Sequence, residues 1–83
     1  MEKIDVRKDI RYVAAVMDVV PLFLARDFVS QTYKFIDNIS AASKCVSKEV
    51  ARDMINVYRR DTSDIQDITI LPIEVTYRIL DDD

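Results

Sequence analysis

The sequence predicts an α+β domain in which three amphipathic helices precede a C-terminal β-strand, and this strand completes a small sheet within the chain or across an oligomer. Up to residue 60, apolar residues recur at helical spacing, and from residue 73 onward they alternate with polar residues, as they do in a strand. The length of 83 residues favours one domain, residues 1–83, with room for a single core.

The first helix is predicted from apolar residues that repeat every three or four positions. Ile10, Val13, Ala14 and Met17 follow this spacing, which would place them along one side of a helix. Asp5 is a suitable N-cap, because its carboxylate can accept a hydrogen bond from an amide of the first turn.

A second helix is predicted from Pro21 onward, since proline suits the first turn of a helix and otherwise kinks one long helix at that point. Its apolar side would consist of residues that again follow helical spacing: Leu24, Phe28, Thr32, Phe35 and Ile39. The opposite side would carry charged and polar residues, which is typical of a helix that packs with one face on a core.

A third helix is expected to begin at Ser43 or Ser47, either of which can cap it. Its buried side would contain Val50, Met54, Val57 and Tyr58. The polar segment 61–64 is expected to end the helix, because Asp, Ser and Thr side chains compete for backbone hydrogen bonds and favour turns.

The C-terminal strand is predicted over residues 73–80 from strict alternation. Its apolar face would carry Ile73, Val75, Tyr77 and Ile79. A strand must pair, since otherwise a row of backbone donors and acceptors is left unmet. Without a Gly-containing turn nearby, its partner is expected to be the N-terminal segment, a second copy of the strand or another protein.

The composition argues against an enzyme. The chain has no His and no Gly, so it lacks the usual proton shuttle near neutral pH and the Gly-rich loops that hold phosphate groups. No cofactor is expected. Asp61, Asp64 and Asp67 lie close together, but their spacing differs from that of a calcium loop, so they are interpreted as helix-ending residues and no metal site is predicted.

The single cysteine, Cys45, is interpreted as a small packed side chain, because a nucleophilic thiolate normally needs a base such as histidine. One cysteine cannot form a disulfide within the chain, which fits a reducing compartment and predicts a cytoplasmic protein. The longest apolar stretch, residues 13–25, is interrupted by Asp18 and Pro21, so no membrane association is expected.

The charges are distributed unevenly along the chain. Residues 1–60 carry a net charge of +3 and residues 61–83 a net charge of −6. The basic residues around the predicted third helix could follow a phosphate backbone, and they are Lys44, Lys48, Arg52, Arg59 and Arg60. A dimeric nucleic-acid-binding regulator is therefore the alternative hypothesis, although the acidic isoelectric point of about 4.8 disfavours it.

The leading functional hypothesis is a non-catalytic interaction module, an inhibitor-type or adaptor-type regulatory protein that binds another protein and forms a homo-oligomer. Small size, missing catalytic residues and a strand suited to pairing with a partner favour it. The expected contact residues are those of the strand and an apolar pair after Pro21: Leu22, Phe23, Ile73, Val75, Tyr77 and Ile79.

Overall fold

The computed structural model describes the backbone of residues 4–79 and the side chains of residues 7–79. In this part of the chain, four antiparallel strands form one sheet and one α-helix packs on it. The elements are β1 (Ile4–Val16), β2 (Leu22–Asp27), β3 (Thr32–Ile36), a 3-10 turn (Ile39–Ala41), α1 (Lys48–Thr62) and β4 (Thr69–Ile79). The strand order is β3-β2-β1-β4, so β3 and β4 are the edge strands.

The prediction of three helices is wrong, because β1 occupies the place of the first helix and the β2–β3 hairpin occupies that of the second. Val13, Ala14 and Ala15 are all fully buried, so this part of β1 is covered on both faces. Such a strand is apolar at consecutive positions and loses its period of two. A short apolar run of this kind also fits helical spacing, which explains the error.

The hairpin between β2 and β3 turns without glycine. The Asp27 carboxylate accepts hydrogen bonds from the amides of Val29 at 2.9 Å and Ser30 at 3.4 Å. Gln31 takes the left-handed conformation, with φ 59, that glycine usually supplies. The hydrogen bond from Lys34 and those from the two amides hold the pKa of Asp27 below its usual value. The turn therefore depends on one carboxylate.

The third predicted helix is confirmed as α1. Ser47 is its N-cap and accepts a hydrogen bond from the Val50 amide at 3.2 Å. The helix ends at Thr62, inside the polar segment expected to stop it, and Ser63 follows with φ 58. The buried side is made by Ala51, Met54, Ile55 and Tyr58, whereas Val50 is 44% exposed.

A C-terminal strand is also confirmed, and β4 pairs with β1 along its whole described length. Val13 lies opposite Leu71, Asp9 opposite Val75, and a bulge interrupts the register between Asp5 and Arg7. The partner is therefore the N-terminal segment of the same chain, one of the three alternatives. Leu80, the predicted last strand residue, lies outside the described residues.

The core lies between α1 and one face of the sheet, which we call the helix face. Ala14, Leu24 and Ile70 from three strands contact the buried side of α1. The rings of Phe35 and Tyr58 meet edge to face, with centroids 5.2 Å apart. Cys45 belongs to the same cluster, as expected for a packed side chain.

One end of the sheet is only two strands wide. β1 pairs with β2 only at Ala15 and Val16, and farther along it bonds to Cys45 through Tyr12, with both N···O distances at 2.8 Å. Beyond Tyr12, residues 4–11 and residues 73–79 form a two-stranded ribbon. The radius of gyration is 15.0 Å, against about 12 Å for a compact chain of this length. The ribbon therefore projects from the body of the molecule.

The C-terminal end of α1 is fixed by a hydrogen bond from the Tyr58 hydroxyl to the Asp64 carboxylate. This bond is the main cause that lowers the pKa of Asp64, and burial is the main cause that raises the pKa of Tyr58. Because the folded-state pKa of Asp64 lies below its unfolded value of about 4, the stabilisation is present above that value. It is lost as the pH falls through the folded-state pKa.

The Tyr58→Phe variant is expected to flatten this acid dependence, because it removes the main cause of the shift. Thermal unfolding followed by circular dichroism between pH 6 and pH 2 measures the effect. Tyr33→Phe serves as the matched control, since no hydrogen bond links Tyr33 to a carboxylate in the described residues. Equal acid dependence of Tyr58→Phe and wild-type protein would show that the Tyr58–Asp64 bond contributes nothing to stability.

Candidate functional site

The sheet face opposite α1, which we call the open face, is apolar and has no helix on it within the described residues. Since Ala14 contacts α1, the alternation of side chains places Val13 and Ala15 on the open face. Their cross-strand neighbours Leu71 and Phe23 lie on the same face. Val13 and Ala15 are fully buried, so the part of the open face that is accessible for contact lies farther along the ribbon.

On the ribbon, the open face carries an apolar column beside a charged column. The apolar column consists of Ile73, Val75 and Tyr77, and Tyr77 is 52% exposed. The register places Arg11, Asp9 and Arg7 opposite these three residues in turn.

Ion pairs hold the charged column together. Asp9 lies 2.9 Å from Nε of Arg7 and 3.4 Å from Nη2 of Arg11. The hydrogen bond from Arg7 is the largest cause that lowers the pKa of Asp9. The two arginines and one carboxylate leave a positive charge beside the apolar column.

The outer edge of β4 has no strand beside it in the described residues, because β4 is the last strand of the sheet. The N–H and C=O of Tyr12 both bond to Cys45, so they point away from β4. The register then fixes which groups of β4 face outward, since inward and outward groups alternate along the strand. Outward-facing backbone groups belong to Ile70, Pro72, Glu74 and Thr76.

Pro72 lies at an outward-facing position, where its missing N–H costs the intrachain ladder nothing. It removes one donor from the open edge, and Glu74 adds a charge that pairs with Lys8 at 3.7 Å. Proline and charge are two devices by which proteins limit uncontrolled strand pairing at edges. The outward N–H groups of Ile70, Glu74 and Thr76 remain, so the edge can still accept a strand.

A cleft of about 310 Å³, which we call the arginine cleft, lies between α1 and the start of β4. Its floor is apolar and is formed by Ile55, Ile68 and Ile70, and its rim carries Arg52, Asn56 and Arg59. Nη2 of Arg59 donates to the Gln66 carbonyl at 3.0 Å, which holds this guanidinium over the loop before β4. The cleft suits a partner that combines an apolar side chain with a carboxylate.

The predicted contact residues separate into two sets. Phe23, Ile73, Val75 and Tyr77 lie on the open face, and alternation places Ile79 there as well. Leu22 lies on the helix face, opposite Val16. No sequence pattern indicated the outward-facing backbone groups, which depend on the pairing of β4 with β1, or the arginine cleft, which depends on the packing of α1 beside β4.

The basic residues of the alternative hypothesis do not form one continuous stripe. Lys48, Arg52 and Arg59 share one side of α1, whereas Arg60 points elsewhere on the helix. Nζ of Lys44, in the loop before the helix, donates to the carbonyls of Ser40 at 2.7 Å and Ala42 at 3.2 Å. The Lys44 ammonium group therefore stabilises this loop.

A second cleft, of about 380 Å³, lies beside the first half of α1. It is lined by Tyr33, Ser43, Lys44, Cys45, Val50, Asp53, Met54 and Val57. Burial raises the pKa of the Cys45 thiol, which keeps the sulfur protonated and unreactive near neutral pH. We therefore interpret this cleft as a packing gap at the edge of the core.

Within residues 4–79, no group of three or more His, Cys, Asp or Glu side chains is arranged to hold a metal ion. Asp64 is engaged by Tyr58 and Gln66. In the same part of the chain, no helix has the length and apolar character needed to cross a membrane. Comparisons with protein-family models, with curated proteins and with solved structures found no match to this chain.

Proposed function

We propose that this protein is a non-catalytic interaction module of the inhibitor or adaptor type, which binds another polypeptide by adding a strand at the outer edge of β4. The observation that carries the proposal is the outward-facing N–H and C=O row at Ile70, Glu74 and Thr76, which has no strand beside it in the described residues. Backbone hydrogen bonds to such an edge supply affinity, and pockets for alternate side chains supply specificity.

Two further features support the proposal. The apolar column of Ile73, Val75 and Tyr77 lies along the same strand, so an added strand gains apolar contact as well as hydrogen bonds. The arginine cleft beside Ile70 offers a second, charged point of contact at one end of the edge. A two-stranded ribbon is only marginally stable in water, so pairing with a third strand would also stabilise the ribbon itself.

Nucleic-acid binding through α1 is the less favoured alternative. Glu49 and Asp53 lie among the basic residues of the helix, and Lys44 already bonds to two carbonyls. A phosphate backbone would meet these carboxylates as well as the arginines. Binding that weakens steeply with salt and is lost in Lys48→Glu would restore this alternative.

The test uses two substitutions at one outward-facing position. Thr76→Pro removes the outward N–H and places a ring in the path of an added strand, whereas Thr76→Val keeps the N–H and the shape of the side chain. We expect any polypeptide bound by wild-type protein, a second copy included, to bind Thr76→Val and to be lost from Thr76→Pro. Co-purification with affinity-tagged protein measures the amount of bound polypeptide. Equal recovery with both variants would contradict strand addition at β4.

A further inference from the structure

We infer that the strand added to β4 is the β4 strand of a second copy of this chain, in an antiparallel pair whose two-fold axis passes beside Val75. The inference rests on the proposed function, and it names the partner. The paired edges would make one continuous sheet of two copies, with both α1 helices on the same side, because residues opposite each other in an antiparallel pair share a face.

The side chains of the β4 edge are complementary to themselves in this register. On the open face, Val75 lies opposite the partner's Val75, and Ile73 lies opposite the partner's Tyr77. Leu71 in turn lies opposite the partner's Ile79. Every pair is apolar, and Tyr77 and Ile79, which are more than half exposed in the single chain, become covered.

The backbone agrees with the same register. Glu74 and Thr76 both have outward-facing groups, and the register sets each of them opposite the other in the partner, so that the N–H and C=O groups of both are satisfied. A shift of the axis by one residue to Glu74 would keep the faces matched but would set two glutamates opposite each other, which is unfavourable. The register through Val75 avoids this repulsion.

The first test is the oligomeric state of purified protein by sedimentation velocity over a hundredfold range of concentration. Wild-type protein and Thr76→Val are expected to dimerise with equal affinity. Thr76→Pro is expected to dimerise at least about tenfold more weakly, since it removes two hydrogen bonds per dimer. In dilute protein, where both variants are monomeric, its circular dichroism and melting temperature should match those of Thr76→Val, which would show that the fold is intact.

The outcomes separate the two proposals. A wild-type monomer at every concentration would overturn the second copy as partner, while a different polypeptide captured by Thr76→Val and lost from Thr76→Pro would leave the proposed function in place. A dimer that Thr76→Pro does not weaken would overturn the inference of a second copy at this edge. A polypeptide that Thr76→Val and Thr76→Pro capture equally would overturn the proposed function. A dimer that Thr76→Val keeps and Thr76→Pro loses supports both.

Discussion

Replacing Leu24 with alanine is expected to lower the free energy of unfolding by about 2–5 kcal/mol. Leu24 is fully buried and contacts the helix side of the core from the second strand. A truncation there removes apolar contact and leaves a cavity beneath α1. A domain of this size has a total stability at the lower end of the usual range of about 5–15 kcal/mol, so the loss would be a large share of it.

Urea unfolding followed by circular dichroism measures the Leu24→Ala effect. Val19→Ala is the matched control, because Val19 is 96% exposed and its truncation should change stability by less than about 0.5 kcal/mol. If the two variants unfolded at the same urea concentration, the core would not lie between the helix face and α1 as described. Dimerisation contributes to apparent stability, so both variants are compared at one protein concentration.

Proline at Val75 is expected to disrupt the ribbon, whereas proline at the next residue is expected to leave it intact. Val75 lies opposite Asp9, and its N–H faces β1, so Val75→Pro removes a ladder hydrogen bond and leaves a carbonyl of β1 unmatched. We expect a loss of about 2–3 kcal/mol in the free energy of unfolding. Thr76→Pro removes only an outward N–H.

The comparison of these two variants is made under dilute conditions, where the copies are separate. Urea unfolding should show Val75→Pro well below wild-type protein and Thr76→Pro close to it. The opposite order would mean that the assignment of inward and outward groups, which rests on the Tyr12–Cys45 bonds, is reversed. The edge proposed for partner binding would then be the wrong set of residues.

Local signals in the sequence predicted α1 and β4 correctly. The Ser47 cap, the four-residue spacing of Met54 and Tyr58, and the polar stop after residue 60 are all local features of one helix. The alternation of residues 73–79 likewise reflects one strand with two different faces. Each of these patterns needs no knowledge of the rest of the chain.

The first half of the fold could not be predicted in the same way, because its pattern depends on contacts made elsewhere. Residues 13–15 are all fully buried, so they have no polar face to reveal a strand. The hairpin turn uses Asp27 and a left-handed Gln31 in place of glycine, so the usual hairpin signal is absent. Helical spacing in this region was coincidental.

The candidate site was predicted only in part, for a related reason. The apolar column of Ile73, Val75 and Tyr77 was visible, since it follows from alternation alone. Which backbone groups of β4 face outward depends on the bonds between Tyr12 and Cys45, which are 33 residues apart in the sequence. The arginine cleft requires α1 to pack beside Ile68 and Ile70. Neither relation can be predicted from the sequence of a single segment.

Amide hydrogen exchange along β4, measured by NMR at two protein concentrations, tests the central claim most directly. We predict that the amides of Glu74 and Thr76 exchange slowly in concentrated protein and rapidly after dilution, whereas those of Ile73 and Val75 are slow in both, because β1 protects them. Rapid exchange of the Glu74 and Thr76 amides in concentrated protein would contradict the pairing of two copies through this edge.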